Sequence, residues 1–311
     1  PDPYPTTHRD RRMDFTDVPR PTAGPTYYKG HGLGNDYLVF EEGPGWRLSP
    51  GSVEAVCDRW TGVGSDGIVI LTADRTGGVF RLRMFNPDGS EFERSGNGLR
   101  VLGSHLVRKG WVGSDPFVVE VGGDRVVMTV HGVEDGVHDI SVAMGRATTG
   151  PAAVAMDPGA LGPGGTMEGP DGRVLEVVPV SVGNPHVVVW MEDPGKEDLS
   201  LIGPWLATHP SLAGGTNVQL ACSTAAGACR ILIWERGVGP TSASGTSSCA
   251  AAVSAVARGE MVAGEIRVLM PGGEFLVTVT EELDVVLRGP VAETCEGSLT
   301  PGFLTRLDGG R

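Results

Sequence analysis

Two serine-glycine pairs that each precede a predicted helix are the features of this sequence best suited to chemistry. They are Ser95-Gly96 and Ser244-Gly245, and the helices are predicted for residues 99–109 and 248–258. A helix start presents free backbone N–H groups and the positive end of the helix dipole. Two such starts facing one cleft could bind one small anion, for which a carboxylate is the natural choice. The alternative is simple N-capping, since serine before a helix is usually a cap.

The spacing of these pairs argues for more than capping. Gly34 of a Gly-Asn-Asp motif precedes Ser95 by 61 positions, and Gly183 of a Gly-Asn-Pro-His motif precedes Ser244 by 61 positions. An aromatic residue lies ten positions before each serine. Three landmarks in one register indicate a duplicated fold with a ligand cleft between two pseudo-symmetric halves.

Polar groups around these motifs suit an amino-acid ligand. Arg236 could hold a carboxylate bidentately and Glu235 an ammonium group, although such a pair is commonly just solvated. His186 could act as acid or base near neutral pH, or could be a structural histidine. Asparagine in a loop is also a frequent turn former. The candidate ligand-binding residues are Asn35, Asn86, Gly96, Asn97, Asn184, Asn217, Arg236, Gly245 and Thr246.

Length and composition restrict the class of protein. The 311 residues are enough for two domains, and the formal net charge of −13 argues against binding nucleic acid or an anionic membrane surface. No apolar run is long enough to span a bilayer. Five cysteines without a CxxC pair favour reduced thiols in the cytoplasm. The histidines and cysteines show no metal-ligand spacing, and no dinucleotide or P-loop fingerprint is present, so we expect no metal and no cofactor.

Short β-branched runs bounded by turns predict an α+β protein with much sheet and few long helices. Residues 1–25 resemble a disordered extension without the apolar centre of a signal peptide. The Gly/Pro-rich stretch 150–172 is predicted to be an exposed loop.

The motifs as a group resemble the diaminopimelate epimerase family from about Tyr28 to Gly302. The matching stretches are KGHGLGNDYLVF (29–40), GVGSDG (62–67), MFNPDGSEFERSGNGLR (84–100), SVGNPHVVV (181–189), GTNVQL (215–220) and WERGVGPTSASGTSSCAAAV (234–253). The resemblance implies two pseudo-symmetric domains, each a curved sheet around a central helix, with the active site in the cleft between them. It places the first domain at 26–141 plus about 290–302, and the second at 142–289.

In that family one cysteine on each side faces the substrate α-carbon, and here those positions are Ser95 and Ser244. The resemblance implies that His186 partners the first position, that Glu235 partners the second, and that the amides and Arg236 hold the substrate. A thiol with a pKa of about 8.5 is readily activated, whereas each further pKa unit costs about 1.4 kcal/mol. Serine is therefore a poor base for an unactivated α-carbon. A laboratory double variant of an ordinary epimerase would not explain the altered GTSSC segment.

Three interpretations follow from the resemblance. The first is a cofactor-independent isomerase or epimerase that transfers a proton at carbon of a small amino-acid-like carboxylate, with His186 or Glu235 as base. A more acidic carbon, as in phenazine-type isomerases of the same superfold, would relax the demand on that base. The second is authentic diaminopimelate epimerase activity in lysine biosynthesis, and the third is a non-catalytic amino-acid-binding protein. A cytoplasmic homodimer with no nucleic-acid or membrane partner is expected in each case.

Overall fold

The structure is a computed structural model that describes residues 24–43, 49–92, 95–224 and 227–307. All but the last two residues of the predicted extension 1–25 lie outside the described residues. Strands make up most of the regular structure in the described part of the chain. They close into two barrels, each with one helix along its interior.

The first barrel surrounds helix α2. Strand β1 pairs with β2, β2 runs parallel to β3, β3 pairs with β4, and β4 runs parallel to β6. The chain then continues through antiparallel β7 and β8. The elements of this half are β1 (Thr26–Gly32), β2 (Asn35–Glu41), α1 (Pro50–Cys57), β3 (Ile68–Leu71), β4 (Phe80–Phe85), β5 (Glu91–Phe92), α2 (Gly96–Arg108), β6 (Phe117–Val121), β7 (Asp124–Glu134) and β8 (Val137–Arg146).

The second barrel repeats this order around helix α4. Parallel pairing recurs between β12 and β13 and between β14 and β16, while the other successive pairs are antiparallel. The elements of this half are β9 (Thr148–Thr149), β10 (Thr166–Glu168), β11 (Val174–Ser181), β12 (Pro185–Trp190), α3 (Lys196–Ala207), β13 (Asn217–Ser223), β14 (Cys229–Glu235), β15 (Gly239–Thr241), α4 (Gly245–Ala257), β16 (Gly264–Met270), β17 (Gly273–Val279), β18 (Asp284–Ser298) and a final helix α5 (Pro301–Leu307).

Matching elements of the two barrels are offset by the 149 positions that separate the sequence motifs. Helix α4 begins and ends 149 positions after α2, and β13 and β14 begin 149 positions after β3 and β4. The aromatic landmarks occupy equivalent places, because Phe85 pairs with Ile68 and Trp234 with Val218. The predicted α+β fold of two pseudo-symmetric halves, each a curved sheet around a central helix, is therefore confirmed.

Two strands join the barrels. Strand β18 pairs with β17 in the second half, with β8 along its centre and with β1 at its far end, which closes the first barrel. Strand β8 leads into β9, which pairs with β11 and closes the second barrel. Because β8 and β18 belong to both barrels, the domain limits 26–141 plus 290–302 and 142–289 stay a prediction.

The stretch 150–172 is more ordered than the sequence suggests. It contains 3-10 turns at Pro151–Val154 and Pro158–Ala160 and the strand β10. Val154 and Met167 are buried in a cluster that packs between strands of the second barrel and α3. The prediction of an exposed loop was therefore wrong at these positions, because apolar residues spaced among the glycines and prolines gain burial against the barrel wall.

Leu287 on β18 lies at the junction of both barrels and is fully buried. We expect Leu287→Ala to lower the free energy of unfolding by about 2–5 kcal/mol, since it removes a buried side chain that both halves contact. Urea denaturation measures this loss. Leu276→Ala on the neighbouring strand β17 is the matched control, because Leu276 is only half-buried. Equal losses for the two variants would contradict this role of Leu287.

Candidate active site

The two helix starts predicted from the sequence converge on one side chain. A Cβ atom added to Gly96 would lie 3.0 Å from Leu287 Cδ2, and one added to Gly245 would lie 2.8 Å from the same atom. A side chain at either position would have to displace this methyl group, so glycine lets both helix ends approach Leu287 closely. The Ser-Gly pairs of the two halves thus meet at the strand that the barrels share.

A directed chain of hydrogen bonds runs through the first-half amides. Arg100 Nη2 donates to Asn97 Oδ1, and Asn97 Nδ2 donates to Asn35 Oδ1 at 2.8 Å. Asn35 Nδ2 then donates to Asp66 Oδ2 at 3.0 Å. A cation at one end and an anion at the other fix the orientation of both amides. Asn35 and Asn97 are therefore brought together, as predicted.

Arg100 is a fully buried guanidinium at the start of this chain. Its Cζ atom lies 4.6 Å from the ring centre of Phe275, which belongs to the second half. Burial lowers the pKa of Arg100 to about 10, so the side chain stays charged at neutral pH. Its Nε and Nη1 atoms have no hydrogen-bond partner among the described residues.

Asp66 at the other end belongs to an ion-pair cluster. Arg59 Nη2 lies 2.7 Å from both Asp66 Oδ1 and Asp36 Oδ1, and Lys29 Nζ lies 2.9 Å from Asp36 Oδ2. Burial would raise the pKa of Asp36, but the hydrogen bonds from Arg59 and Lys29 outweigh it and lower the pKa. The GVGSDG turn thereby anchors the loop that carries Asn35.

Ser95 has a different partner from the one that the family resemblance implies. Its Oγ accepts the Gly98 N–H at 3.1 Å as a helix cap, and it also hydrogen-bonds the buried Tyr37 side chain. Burial raises the pKa of Tyr37 to about 12, although the hydrogen bond with Ser95 acts in the opposite direction and lowers it. Asp66 and Glu235 add electrostatic effects that also raise it, so charges from both halves act on this phenol.

Ser244 and Glu235 are paired, as the resemblance implies. The Glu235 carboxylate is hydrogen-bonded by Ser244, and Ser244 makes no cap bond to its helix within the described part of the chain. Burial raises the pKa of Glu235, and Asp66 raises it further, while the bond from Ser244 opposes them. A carboxylate with a raised pKa is a stronger base than an exposed one.

His186 is fully buried and uses both ring nitrogens. Its Nε2 lies 2.9 Å from Asn184 Oδ1, and its Nδ1 lies 3.0 Å from Gln219 Nε2, which also donates to Ser247 Oγ at 3.0 Å. An amide N–H faces Nδ1, so the proton is on Nε2 and is donated to Asn184. Burial lowers the pKa of His186 to about 3, and the ring is neutral at physiological pH. This geometry favours a role in orienting Asn184, and the predicted catalytic role stays a prediction.

The remaining predicted residues fall into two groups. Asn217 Oδ1 accepts the Arg236 backbone N–H at 3.0 Å, and its Nδ2 donates to Pro185 O at 3.1 Å, so these residues are brought together. The Arg236 guanidinium donates to Gly214 O at 2.7 Å. Thr246 lies half-buried in the first turn of α4. Asn86 instead bonds Ser90 Oγ at 3.0 Å within its own turn, which fits the turn-former alternative.

Sequence reasoning missed three polar residues of this region, namely Tyr37, Asp66 and Arg100. All three stand inside stretches that were already recognised, Tyr37 next to Gly-Asn-Asp, Asp66 in GVGSDG and Arg100 at the end of the stretch 84–100. The 149-position offset offers one further signal, since Tyr37 is the counterpart of His186 and Arg100 the counterpart of Cys249.

The described residues contain no group of three or more His, Cys, Asp or Glu side chains arranged to hold a metal ion. Nor do they include a helix with the length and apolar character needed to cross a membrane.

Paired barrels with converging helix starts define a protein of two pseudo-symmetric halves, and comparisons with known proteins identify its family. The family model described as diaminopimelate epimerase matches residues 27–150 and 178–293. A diaminopimelate epimerase of Desulforudis audaxviator is 37% identical over 281 residues, covering 87% of this chain and 98% of that protein. Diaminopimelate epimerase 2 of a Nostoc species is 34% identical over 286 residues, covering 88% and 95%. The chain belongs to the diaminopimelate epimerase family and is an isomerase.

Solved structures show the same fold at low sequence identity. A hydroxyproline epimerase of Agrobacterium vitis with bound trans-4-hydroxy-L-proline has a TM-score of 0.63 at 13% identity, covering 91% of this chain and 95% of that one. A methylitaconate-delta-isomerase has a TM-score of 0.61 at 11% identity, covering 91% and 97%. At this identity the likeness establishes the architecture alone.

The raised pKa of Glu235 predicts a pH-dependent stability. Between its unfolded pKa and its higher folded pKa, the folded state binds more protons, so this residue's contribution to stability falls as pH rises. We expect Glu235→Gln to be more stable than the unaltered protein at pH 8 and no more stable at pH 4. Urea denaturation of both proteins at the two pH values measures the difference. A stability difference that does not change with pH would contradict the burial of a charged carboxylate.

Proposed function

We propose that this isomerase removes a proton from carbon and returns one to carbon in a small amino-acid-like carboxylate, without a cofactor. The observation that carries the proposal is the convergence of the two Ser-Gly helix starts at Leu287. Free N–H groups from both helices can grip one carboxylate there. A carboxylate held so would lie between Ser95 and Ser244, with its neighbouring carbon accessible to both.

Glu235 is the base that the geometry supports better than His186. It is half-buried, its pKa is raised by burial, and it is hydrogen-bonded to Ser244. His186 has both ring nitrogens occupied and a pKa lowered to about 3 by burial. In this proposal Ser244 relays the proton to Glu235, while His186 orients Asn184 for the substrate.

The amides of the site would hold the substrate's polar groups. Asn35 and Asn97 have their oxygens turned toward donors, so their remaining N–H groups suit a carboxylate. Arg236 and Asn217 lie together in the second half, where Arg236 could hold a second carboxylate. Two acid-binding regions fit the diaminopimelate named for the curated relatives. Diaminopimelate is therefore the first substrate to test.

The presence of serine at both positions supports a second class of substrate, acids with a more acidic carbon. A carbon made more acidic by a neighbouring double bond would need a weaker base than the α-carbon of a simple amino acid. One structure with this fold is named as an isomerase of methylitaconate, an unsaturated acid. A non-catalytic amino-acid-binding protein would retain the same amides without proton transfer. The family membership further supports a cytoplasmic homodimer as part of this proposal.

Hydrogen exchange with solvent tests the proposed function. The protein is incubated in heavy water with LL- and meso-diaminopimelate and with unsaturated cyclic acids, and deuterium at carbon is followed by mass spectrometry. We expect exchange with at least one acid and an approximately hundredfold or greater loss in Glu235→Gln. His186→Gln serves as the comparison and should mainly raise KM. Tight binding of an acid without any exchange would instead support the non-catalytic protein.

Restoring sulfur at both serines tests whether the pocket matches the family substrate. We expect the double variant Ser95→Cys and Ser244→Cys to interconvert LL- and meso-diaminopimelate faster than the unaltered protein, by tenfold or more, because a thiol ionises more readily than an alcohol. Ser247→Cys is the control, since Ser247 lies one turn into α4 and bonds Gln219. If the double variant binds diaminopimelate but gains no activity, the pocket has diverged toward another substrate.

A further inference from the structure

Each serine at the cleft is hydrogen-bonded to one side chain of its own half, and these two side chains differ chemically. Ser95 is bonded to a phenol, Tyr37, and Ser244 to a carboxylate, Glu235. Alcohol, phenol and carboxylate groups differ widely in their tendency to release a proton. The two sides of the cleft are thus unequal despite the pseudo-symmetry of the fold.

The hydrogen bonds of Ser95 leave it a donor. A serine oxygen has two acceptor positions and one O–H. The Gly98 N–H occupies one acceptor position at 3.1 Å. Ser95 and Tyr37 are both hydroxyls, and in the arrangement in which Tyr37 donates to Ser95 it occupies the other. The remaining group on Ser95 is its own O–H, which is free to point into the cleft.

Ser244 has the opposite arrangement. An ionised carboxylate can only accept, so Ser244 donates its O–H to Glu235. Its oxygen makes no cap bond to α4 within the described residues, in contrast with the capping bond of Ser95. Ser244 therefore presents lone pairs to the cleft.

The 149-position offset explains how this inequality arises. The counterpart of Tyr37 is His186, whose ring is turned to Asn184 and Gln219. The counterpart of Glu235 is Asn86, whose amide bonds Ser90. The serine of the first half is therefore bonded to the residue at one of these two positions, Tyr37, and the serine of the second half to the residue at the other, Glu235. A Cβ atom added to Gly67 would lie 2.5 Å from Tyr37 Cε1, and one added to Gly98 would lie 3.1 Å from the same atom, so the ring occupies space that these two glycines leave open.

We propose that the two sides of the cleft rest in opposite protonation states, so that in the resting enzyme Tyr37 and Ser95 supply a proton to the substrate carbon and Ser244 with Glu235 removes one. This inference rests on the proposed function. It adds Tyr37 to the reaction as the proton source of the first half.

Ser244 Oγ takes the proton from carbon while its own proton passes to Glu235, and the electron pair of the C–H bond stays on the substrate. Ser95 then gives its proton to carbon on the opposite face and receives the Tyr37 proton. Glu235 is left protonated and Tyr37 ionised, stabilised by a hydrogen bond from Ser95. Loss of a proton to water and gain of one from water restore both groups.

Thiol titration tests the inequality without any substrate. Ser95→Cys and Ser244→Cys are made separately in a Cys295→Ser background, because Cys295 is exposed and the other four cysteines are buried. The rate of iodoacetamide alkylation against pH gives each new thiol's pKa. Donors facing the first sulfur favour its thiolate, whereas a carboxylate beside the second disfavours it. We expect the Ser95→Cys thiol to ionise at least one pH unit lower, a tenfold larger thiolate ratio.

Matched second variants identify the partners. Tyr37→Phe should raise the pKa of the Ser95→Cys thiol, and Glu235→Gln should lower that of the Ser244→Cys thiol. Tyr28→Phe is the control for the first, since Tyr28 is also a buried tyrosine bonded to a serine of α2, Ser104, at 2.5 Å. Equal pKa values for the two thiols, or equal effects of Tyr37→Phe and Tyr28→Phe, would overturn the proposal.

Isotope exchange separates failure of this inference from failure of the proposed function. With the diaminopimelate isomers in heavy water, Tyr37→Phe should retain deuterium uptake yet slow conversion, so the ratio of exchange to conversion rises tenfold or more. An unchanged ratio with normal exchange overturns the role of Tyr37 and leaves the isomerase intact. Absence of exchange with every acid, combined with the expected thiol titration, overturns the proposed function and leaves the inequality of the two sides established.

Discussion

The close approach of both central helices to Leu287 is the constraint on which the site depends. Leu287 belongs to β18, which both barrels share, so the two helix ends are positioned from one strand. Any side chain at Gly96 or Gly245 would meet the Leu287 methyl group at 3.0 Å or less. The glycines therefore determine how near each helix start lies to Leu287.

Buried charge gives the site its orientation. Arg100 donates to Asn97, which fixes Asn97 with its N–H groups toward Asn35, and Asn35 in turn toward Asp66. Without a cation at one end, either amide could rotate and offer its oxygen to the ligand. A buried guanidinium with unsatisfied nitrogens is costly. Two interactions of Arg100 offset this cost: its guanidinium stacks on Phe275, and it donates the first hydrogen bond of the chain, to Asn97.

Spacing in the sequence predicted the duplicated fold and the paired helix starts, because an offset of 149 positions can be read without coordinates. The partners of the two serines were harder to predict. Tyr37 lies in an apolar strand, where a tyrosine is normally a core residue, and only its contact with Ser95 shows another use. His186 stands in a motif that suggests catalysis, but its hydrogen bond to Gln219 depends on the pairing of β12 with β13, which no local pattern reveals.

Replacing sulfur by oxygen changes what a proton-transfer pair requires. Two thiols can share one role, since each exchanges its proton near neutral pH. An alcohol needs a stronger partner, and the direction of transfer then follows from that partner's chemistry. With a carboxylate behind Ser244 and a phenol behind Ser95, the cleft has a basic side and an acidic side. Such a pair suits a reaction in which the proton leaves one face and returns on the other, and it favours a substrate whose carbanion is stabilised by its own structure.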